Sequence, residues 1–355
     1  MVNLLKNRFL PIVLSKKISD LNPLFAGVPA NDSKDLINFM LETLHNELNQ
    51  HRENSNSQNA IINQVNEKEV LDAFRQEYYS KNQSSIVDNF YGITETTSLC
   101  LGCKTAKYNF QIYSFLEFPL LEAKKYTLAS RTQNPKWLQL TGAPTQDNIF
   151  KQTWDNYTLT LEDCLEYYRK IDLMNGQNQM YCNICNGNQD ACYGTKIYSA
   201  PETLIINLNR GKGAVHQIPI QIPATLNLRN YITDKKNDGE YYLSGIVTHF
   251  GPSNMGGHFI AHYRDNALDD SWVKYNDGIV TPNLSTQKVL TIGMPYILFY
   301  SKKKPMKPLQ NRINTPYSQG LNNIGFTCYM NSAVQLLSHI KPISEYILQV
   351  KENNR

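Results

Sequence analysis

Between Asp32 and Leu48, apolar residues recur at Leu36, Phe39, Met40, Leu44 and Leu48, the three- and four-residue spacing of a helix with one buried stripe. Asp32 or Ser33 can cap it, and Asp35 sits about where a capping-box acid would. Residues 69–79 and Leu161–Tyr168 read as short helices. A last helix starts at about Cys328, with Met330, Val334, Leu336, Leu337 and Ile340 on its apolar side and Pro342 as its stop. Tyr108–Phe118 alternates like a strand. Thr203–Leu208, Leu243–Phe250, Phe259–Tyr263, Trp272–Tyr275 and Tyr296–Tyr300 are short apolar runs fenced by Gly, Pro, Asn or Asp, and they predict strands. Three stretches lack periodicity. Gln50–Lys68 reads as a mobile loop or insertion, residues 124–156 as another insertion, and Ser301–Pro316, basic and proline-bearing, as a linker. The class is α+β, without an internal repeat.

Composition narrows the setting. The 355 residues suffice for one large domain or two ordinary ones, and 41% hydrophobic content is a globular value. No run of about 18 apolar residues is present, which predicts no membrane span. Met1–Leu14 is apolar but broken by Lys6, Arg8 and Pro11, unlike a signal peptide. The net charge of +4 is mild and dispersed, so nucleic acid is not an expected partner. Four of seven cysteines form C-x-x-C pairs, which without a secretion signal favours metal or catalysis over disulfides, in a reducing cytoplasmic or nuclear setting.

Three clusters carry chemistry. In Gly320–Ser332, a glycine-bracketed turn leads into the last helix and places Cys328 in its first turn. There the helix dipole and unpaired N–H groups favour a thiolate, which predicts a lowered thiol pKa. In Met255–Tyr263, two glycines precede His258, which opens a strand and suits a base at a cleft. His249 and His262 compete for that role. Asn276-Asp277-Gly278 ends a strand and could present an amide or a carboxylate to orient the histidine, or be only a hairpin turn. Finally, Cys100-x-x-Cys103 with Cys182-x-x-Cys185 offers four thiolates, the donor set of a structural zinc ion. Cys164 reads as a helix-core residue and Cys192 as a bystander.

Together these pieces resemble the ubiquitin-specific proteases, papain-like deubiquitinating cysteine peptidases. Gly320–Leu337 looks like the family's cysteine box and Tyr242–Asp277 like its histidine box; Asn31–Ile37 is a looser match to its acidic segment. The resemblance implies Cys328 as nucleophile, His258 as base, Asn276 (or its neighbour Asp277) as orienter and Asn323 as side-chain donor of the oxyanion hole. It places Asp32 and Asp35 where acids meet the arginines of the ubiquitin tail. It implies one catalytic domain over 1–355 shaped as a right hand: thumb from 1–95 and 317–355, zinc-bearing β fingers from 96–118 and 157–200, palm mostly from 201–300. Ubiquitin and ubiquitinated proteins are the implied partners of a monomer with one structural zinc. Two other readings are a catalytically weak or inactive ubiquitin-binding module and a peptidase for another ubiquitin-like modifier.

One departure is large. In the family the cysteine box comes first and the histidine box last; here the order is reversed, as in a circular permutation with 301–316 joining the original ends. A flexible linker of about 16 residues spans roughly 20–24 Å. Phe326 also departs from the family pattern, as does Ser33-Lys34, which puts a cation in the acidic segment.

Overall fold

The computed structural model describes residues 11–26, 31–50, 66–144, 148–210, 217–235, 239–253, 256–264, 270–302, 319–340 and 343. The linker segment 303–318 and Pro342 lie outside them, as do residues 51–65 of the Gln50–Lys68 stretch.

The strands Thr203–Asn209 and Met294–Ser301 are apolar without alternation because both of their faces are covered. They lie inside one large sheet. Its order is Ile279–Leu284, Trp272–Asn276, Gly256–Tyr263, Glu240–Ser253, Met294–Ser301, Thr203–Asn209, Phe115–Pro119, with Thr225–Asn227 pairing Glu240–Ser253 off that path. Neighbours are antiparallel except the final pair, in which Phe115–Pro119 runs parallel to Thr203–Asn209. Ile205, Val247, Ile297 and Phe299 enter one core, while Leu204, Ile206, Leu298 and Tyr300 enter the other. Burying a Leu or Ile on either face contributes about 1.5–3 kcal/mol, which ties both layers to this sheet.

The first core is closed by two helices, Ser33–Leu48 and Cys328–His339. Met330, Ala333, Val334 and Leu337 of the second lie against Val247, Ala261 and Tyr275. The helix comes so near the sheet that a Cβ on Gly245 would sit 3.0 Å from Cδ2 of Leu336. His339 fastens its far end: Tyr275 Oη is 2.9 Å from Nε2, and Tyr263 donates to the His339 carbonyl at 2.9 Å.

A second, four-stranded sheet runs Ala106–Tyr113, Gly92–Cys100, Ala191–Ser199, Ile171–Met174. Beyond it a hairpin, Met180–Cys182 with Gly187–Gln189, carries the second C-x-x-C pair.

Two stretches differ from their sequence reading. Residues 124–156, read as a polar insertion, carry regular structure: most of a helix, Leu120–Thr132, a 3-10 turn, Pro135–Gln139, and a helix, Asn148–Asn156. Polarity hid them. Lys124 and Lys125 are buried, and Lys124 donates to the Tyr157 carbonyl at 2.7 Å with its ammonium 4.4 Å from the Trp154 ring centre. Likewise Tyr108–Phe118 is two strands, because Ser114 passes the chain from the small sheet to the large one. The helix expected over 69–79 spans Glu67–Lys81, capped by Asn66. Cys164 is buried in Leu161–Tyr168, as its helix-core reading requires.

His262 has a thermodynamic consequence. It is fully buried beside Thr248, with Nδ1 3.4 Å from Oγ1, and burial, reinforced by Lys274, pushes its pKa down to about 4. The unfolded chain, with an ordinary imidazole near 6.5, therefore binds more protons between pH 6.5 and 4. Stability is full above about pH 6.5 and falls on acidification, by about 3 kcal/mol once pH is below 4. Denaturant midpoints measured from pH 7.5 to 4.5 should decline for the wild type more steeply than for His262→Phe.

Candidate active site and metal centre

The loop Gly320–Thr327 is shaped by two side chains, Asn323 and Thr327, whose hydroxyl accepts the Ile324 N–H at 3.1 Å. Oδ1 of Asn323 accepts the N–H groups of Gly325 and Thr327, each at 3.1 Å, and the Thr327 hydroxyl at 3.2 Å. The loop then delivers Cys328 as the first residue of its helix, 5% exposed. The backbone N–H of Phe259, the residue after His258, faces the Cys328 thiol closely enough to favour its ionised form, so the helix start and the strand start come together there. The expected lowering of the thiol pKa does not occur. Burial raises it, the Asp277 carboxylate adds to the rise, and the N–H groups of Phe259 and Tyr329 offset only part.

Gly257 enforces the position of His258. A Cβ at 257 would lie 2.2 Å from Nε2 of His249 and 2.4 Å from the Phe250 carbonyl oxygen. The His258 side chain is 34% exposed, accessible from the cleft. Its Nε2 lies 2.6 Å from Oδ1 of Asn276. An amide oxygen only accepts, so Nε2 carries the hydrogen and Nδ1 is left with the lone pair of a base. Of the two rival histidines, His262 is held neutral in the core and His249 is buried with its ring 4.8 Å from that of Phe259.

Asp277 stands beside this pair in the left-handed region, at φ +50°. Its Oδ2 is 3.9 Å from His258 Nε2. Its oxygens accept two amide donors, Asn331 Nδ2 at 2.7 Å and Asn323 Nδ2 at 3.2 Å. Asn331 also donates to the Leu321 carbonyl at 3.0 Å. Asn331 had no role in the sequence reading; its signal was its place three residues after Cys328, on the same side of one helix. Gly320 is needed here as well, since a Cβ would stand 2.4 Å from the Asp277 carbonyl oxygen. Asn323 thus reaches Asp277 with its amide group while ordering the loop with its oxygen.

Asp32 caps the helix Ser33–Leu48, accepting the Lys34 N–H at 2.8 Å, and accepts the hydroxyl of Tyr296. Burial raises its pKa against those hydrogen bonds. Asp35 is exposed. Lys34 pairs with Glu117 at 2.5 Å while its charge still acts on Asp32. Ser33 bonds the other way, its Oγ 3.2 Å from the Tyr329 carbonyl and from Ser332 Oγ, which ties this segment to the nucleophile helix.

The four C-x-x-C cysteines converge. All four sulfurs lie within 4.8 Å of one another, with Cys100–Cys185 at 3.9 Å and Cys103–Cys182 at 3.6 Å. Four sulfurs at about 2.3 Å from one zinc ion stand about 3.8 Å apart, so the donor set fits a tetrahedral ion. Among the described residues, no other group of three or more His, Cys, Asp or Glu side chains gathers in this way.

A family model described as ubiquitin carboxyl-terminal hydrolase matches residues 2–300 and 319–355. The chain belongs to that family. It is 25% identical over 303 residues to human ubiquitin carboxyl-terminal hydrolase 2, covering 83% of this chain and 44% of the relative. It is 31% identical over 157 residues to ubiquitin carboxyl-terminal hydrolase 8 of Saccharomyces cerevisiae, covering 40% of this chain and 32% of that protein. The chain therefore spans less than half the length of these relatives. Among solved structures it is similar to a SAGA Ubp8/Sgf11/Sus1/Sgf73 DUB module at a TM-score of 0.48 and 22% identity, over 76% of this chain and 50% of the other. As a member of the ubiquitin carboxyl-terminal hydrolase family, it has the α+β peptidase fold expected from its motifs.

Proposed function

We propose that this chain is a deubiquitinating cysteine peptidase that cuts the bond after the C-terminal glycine of ubiquitin. The observation that carries the reading is the 2.6 Å contact with Asn276 made by Nε2 of His258, one residue before Phe259 on the strand that packs against the helix bearing Cys328. Nδ1 of His258 takes the Cys328 proton, and the thiolate attacks the glycine carbonyl. Backbone N–H groups at the start of the helix, with the free hydrogen of the Asn323 amide, hold the oxyanion. His258 returns the proton to the leaving lysine amine, and water then releases the thioester. Because burial holds the free thiol neutral, proton transfer to His258 creates the nucleophile; the helix dipole alone does not supply it.

Asp32 and Asp35 are assigned to the arginine-bearing tail of ubiquitin, with Asp35 the freer of the two. The large sheet serves as palm, the small one as fingers, and the two helices of the first core as thumb. We read the reversed order of the cysteine and histidine boxes as a circular permutation in which 301–316 joins the family's original ends. Zinc held by Cys100, Cys103, Cys182 and Cys185 would cross-link the small sheet to its hairpin and contribute no catalytic chemistry. We place the protein in the cytoplasm or nucleus, acting as a monomer.

Two measurements test this. Ubiquitin carrying a C-terminal fluorophore should be hydrolysed faster than equivalent conjugates of other ubiquitin-like modifiers; equal or reversed rates overturn the substrate assignment. Asn276→Ala should lower kcat roughly tenfold to a hundredfold with little change in KM, because it frees the histidine ring without removing a substrate contact. Asp277→Ala should cost at least as much, through loss of the Asn323 and Asn331 anchors.

A further inference from the structure

Three bulky apolar side chains on the segments that adjoin the nucleophile stand in solvent: Ile279 at 65% exposed, Phe326 at 60% and Ile324 at 39%. They belong to two segments that are stitched together. The Leu321 N–H donates to the Asp277 carbonyl at 2.9 Å, and a Cβ on Gly278 would lie 2.6 Å from Oδ1 of Asn322. Ile279 follows that turn, Ile324 adjoins Asn323, and Phe326 precedes Cys328 by two residues.

Nothing among the described residues explains an aromatic side chain at Phe326. Its backbone is left-handed, at φ +51°, a conformation that suits Gly or Asn and strains a bulky residue. Its ring buries little of its surface in compensation. Strain held at the lip of a reaction centre points to a contact made outside the chain.

The direction of that contact follows from the nucleophile helix. Ser33, next to Asp32, reaches Tyr329 and Ser332, whereas Asp277 and Gln319 are reached by Asn331 and Gln335. These two flanks are roughly 110° apart around the helix. A tail entering past Asp32 leaves the acceptor lysine and its neighbours toward the flank of Asp277, where the three apolar residues stand.

We propose that Phe326, Ile324 and Ile279 form an acceptor-side subsite that binds a bulky apolar side chain flanking the modified lysine of the substrate protein. The subsite continues the cleft on the segments that carry Asp277, Asn323 and Cys328, and it selects among ubiquitinated proteins. This rests on the deubiquitinase reading above.

The test uses ubiquitin joined through an isopeptide bond to a short peptide whose lysine is flanked by Phe or Leu, or by Asp or Ser. Ubiquitin with a small fluorophore serves as reference. The full chain should favour the apolar flank roughly five- to tenfold in kcat/KM, mainly through KM. Phe326→Asn, which suits the backbone, should reduce that ratio below twofold, and Phe326→Tyr should keep it. Equal cleavage of both flanks by wild type, or an undiminished ratio in Phe326→Asn, overturns the subsite while hydrolysis of the reference leaves the deubiquitinase reading standing. No hydrolysis of the reference overturns that reading, and the subsite with it.

Discussion

Cys328→Ala abolishes hydrolysis of a ubiquitin–fluorophore conjugate, a fall of at least about 10⁴-fold, and leaves ubiquitin affinity within a few-fold of wild type. The size of the loss follows from the site. Among the described residues, Cys328 carries the one thiol at the junction of the Gly320–Thr327 loop and the Gly256–Tyr263 strand. Affinity survives because alanine occupies the same helix start, whose packing rests on Met330, Val334 and Leu337. Equilibrium binding of ubiquitin beside steady-state turnover checks both halves. Alanine also removes a buried thiol without adding volume, so the fold should tolerate it.

The second large effect concerns the four cysteines. Stripping metal with a strong chelator, or Cys182→Ser, should unfold the Met180–Gln189 hairpin and loosen the four-stranded sheet. A structural zinc site contributes about 10–16 kcal/mol of binding energy in small domains, far above what a two-stranded hairpin supplies by itself. The hairpin has little else: Tyr181 and Ile184 are exposed, and its described core is Cys182. Metal analysis should find about one zinc per chain. Hydrogen exchange after chelation should accelerate at 180–189 and 100–105 while the large sheet stays protected. A metal-free protein with those amides still protected would refute the site.

Much of the centre was legible in the sequence because its pieces are local. Two glycines before a histidine, a glycine-bracketed turn before a cysteine and paired C-x-x-C knuckles each announce themselves within a dozen residues. The strands Thr203–Asn209 and Met294–Ser301 were equally plain, since burial on both faces leaves an unbroken apolar run. What escaped depends on tertiary surroundings. The helix Leu120–Thr132 was invisible in part because Lys124 is buried by contacts from Tyr157 and Trp154, some thirty residues on. The break at Ser114 depends on which sheet each half joins. Asn331 gains a role only when Asp277, fifty-four residues earlier in the chain, turns toward it. The thiol pKa went the wrong way because the first turn of a helix is a local feature and burial is not.

The most direct test of the account is covalent capture with ubiquitin bearing an electrophile in place of its C-terminal carboxylate, followed by mapping of the modified cysteine. The account predicts one ubiquitin per chain, attached to Cys328, with the adduct lost in Cys328→Ala and slowed in Asn276→Ala. An adduct on any of the other six cysteines, or none while a small alkylating agent still modifies Cys328, would contradict it.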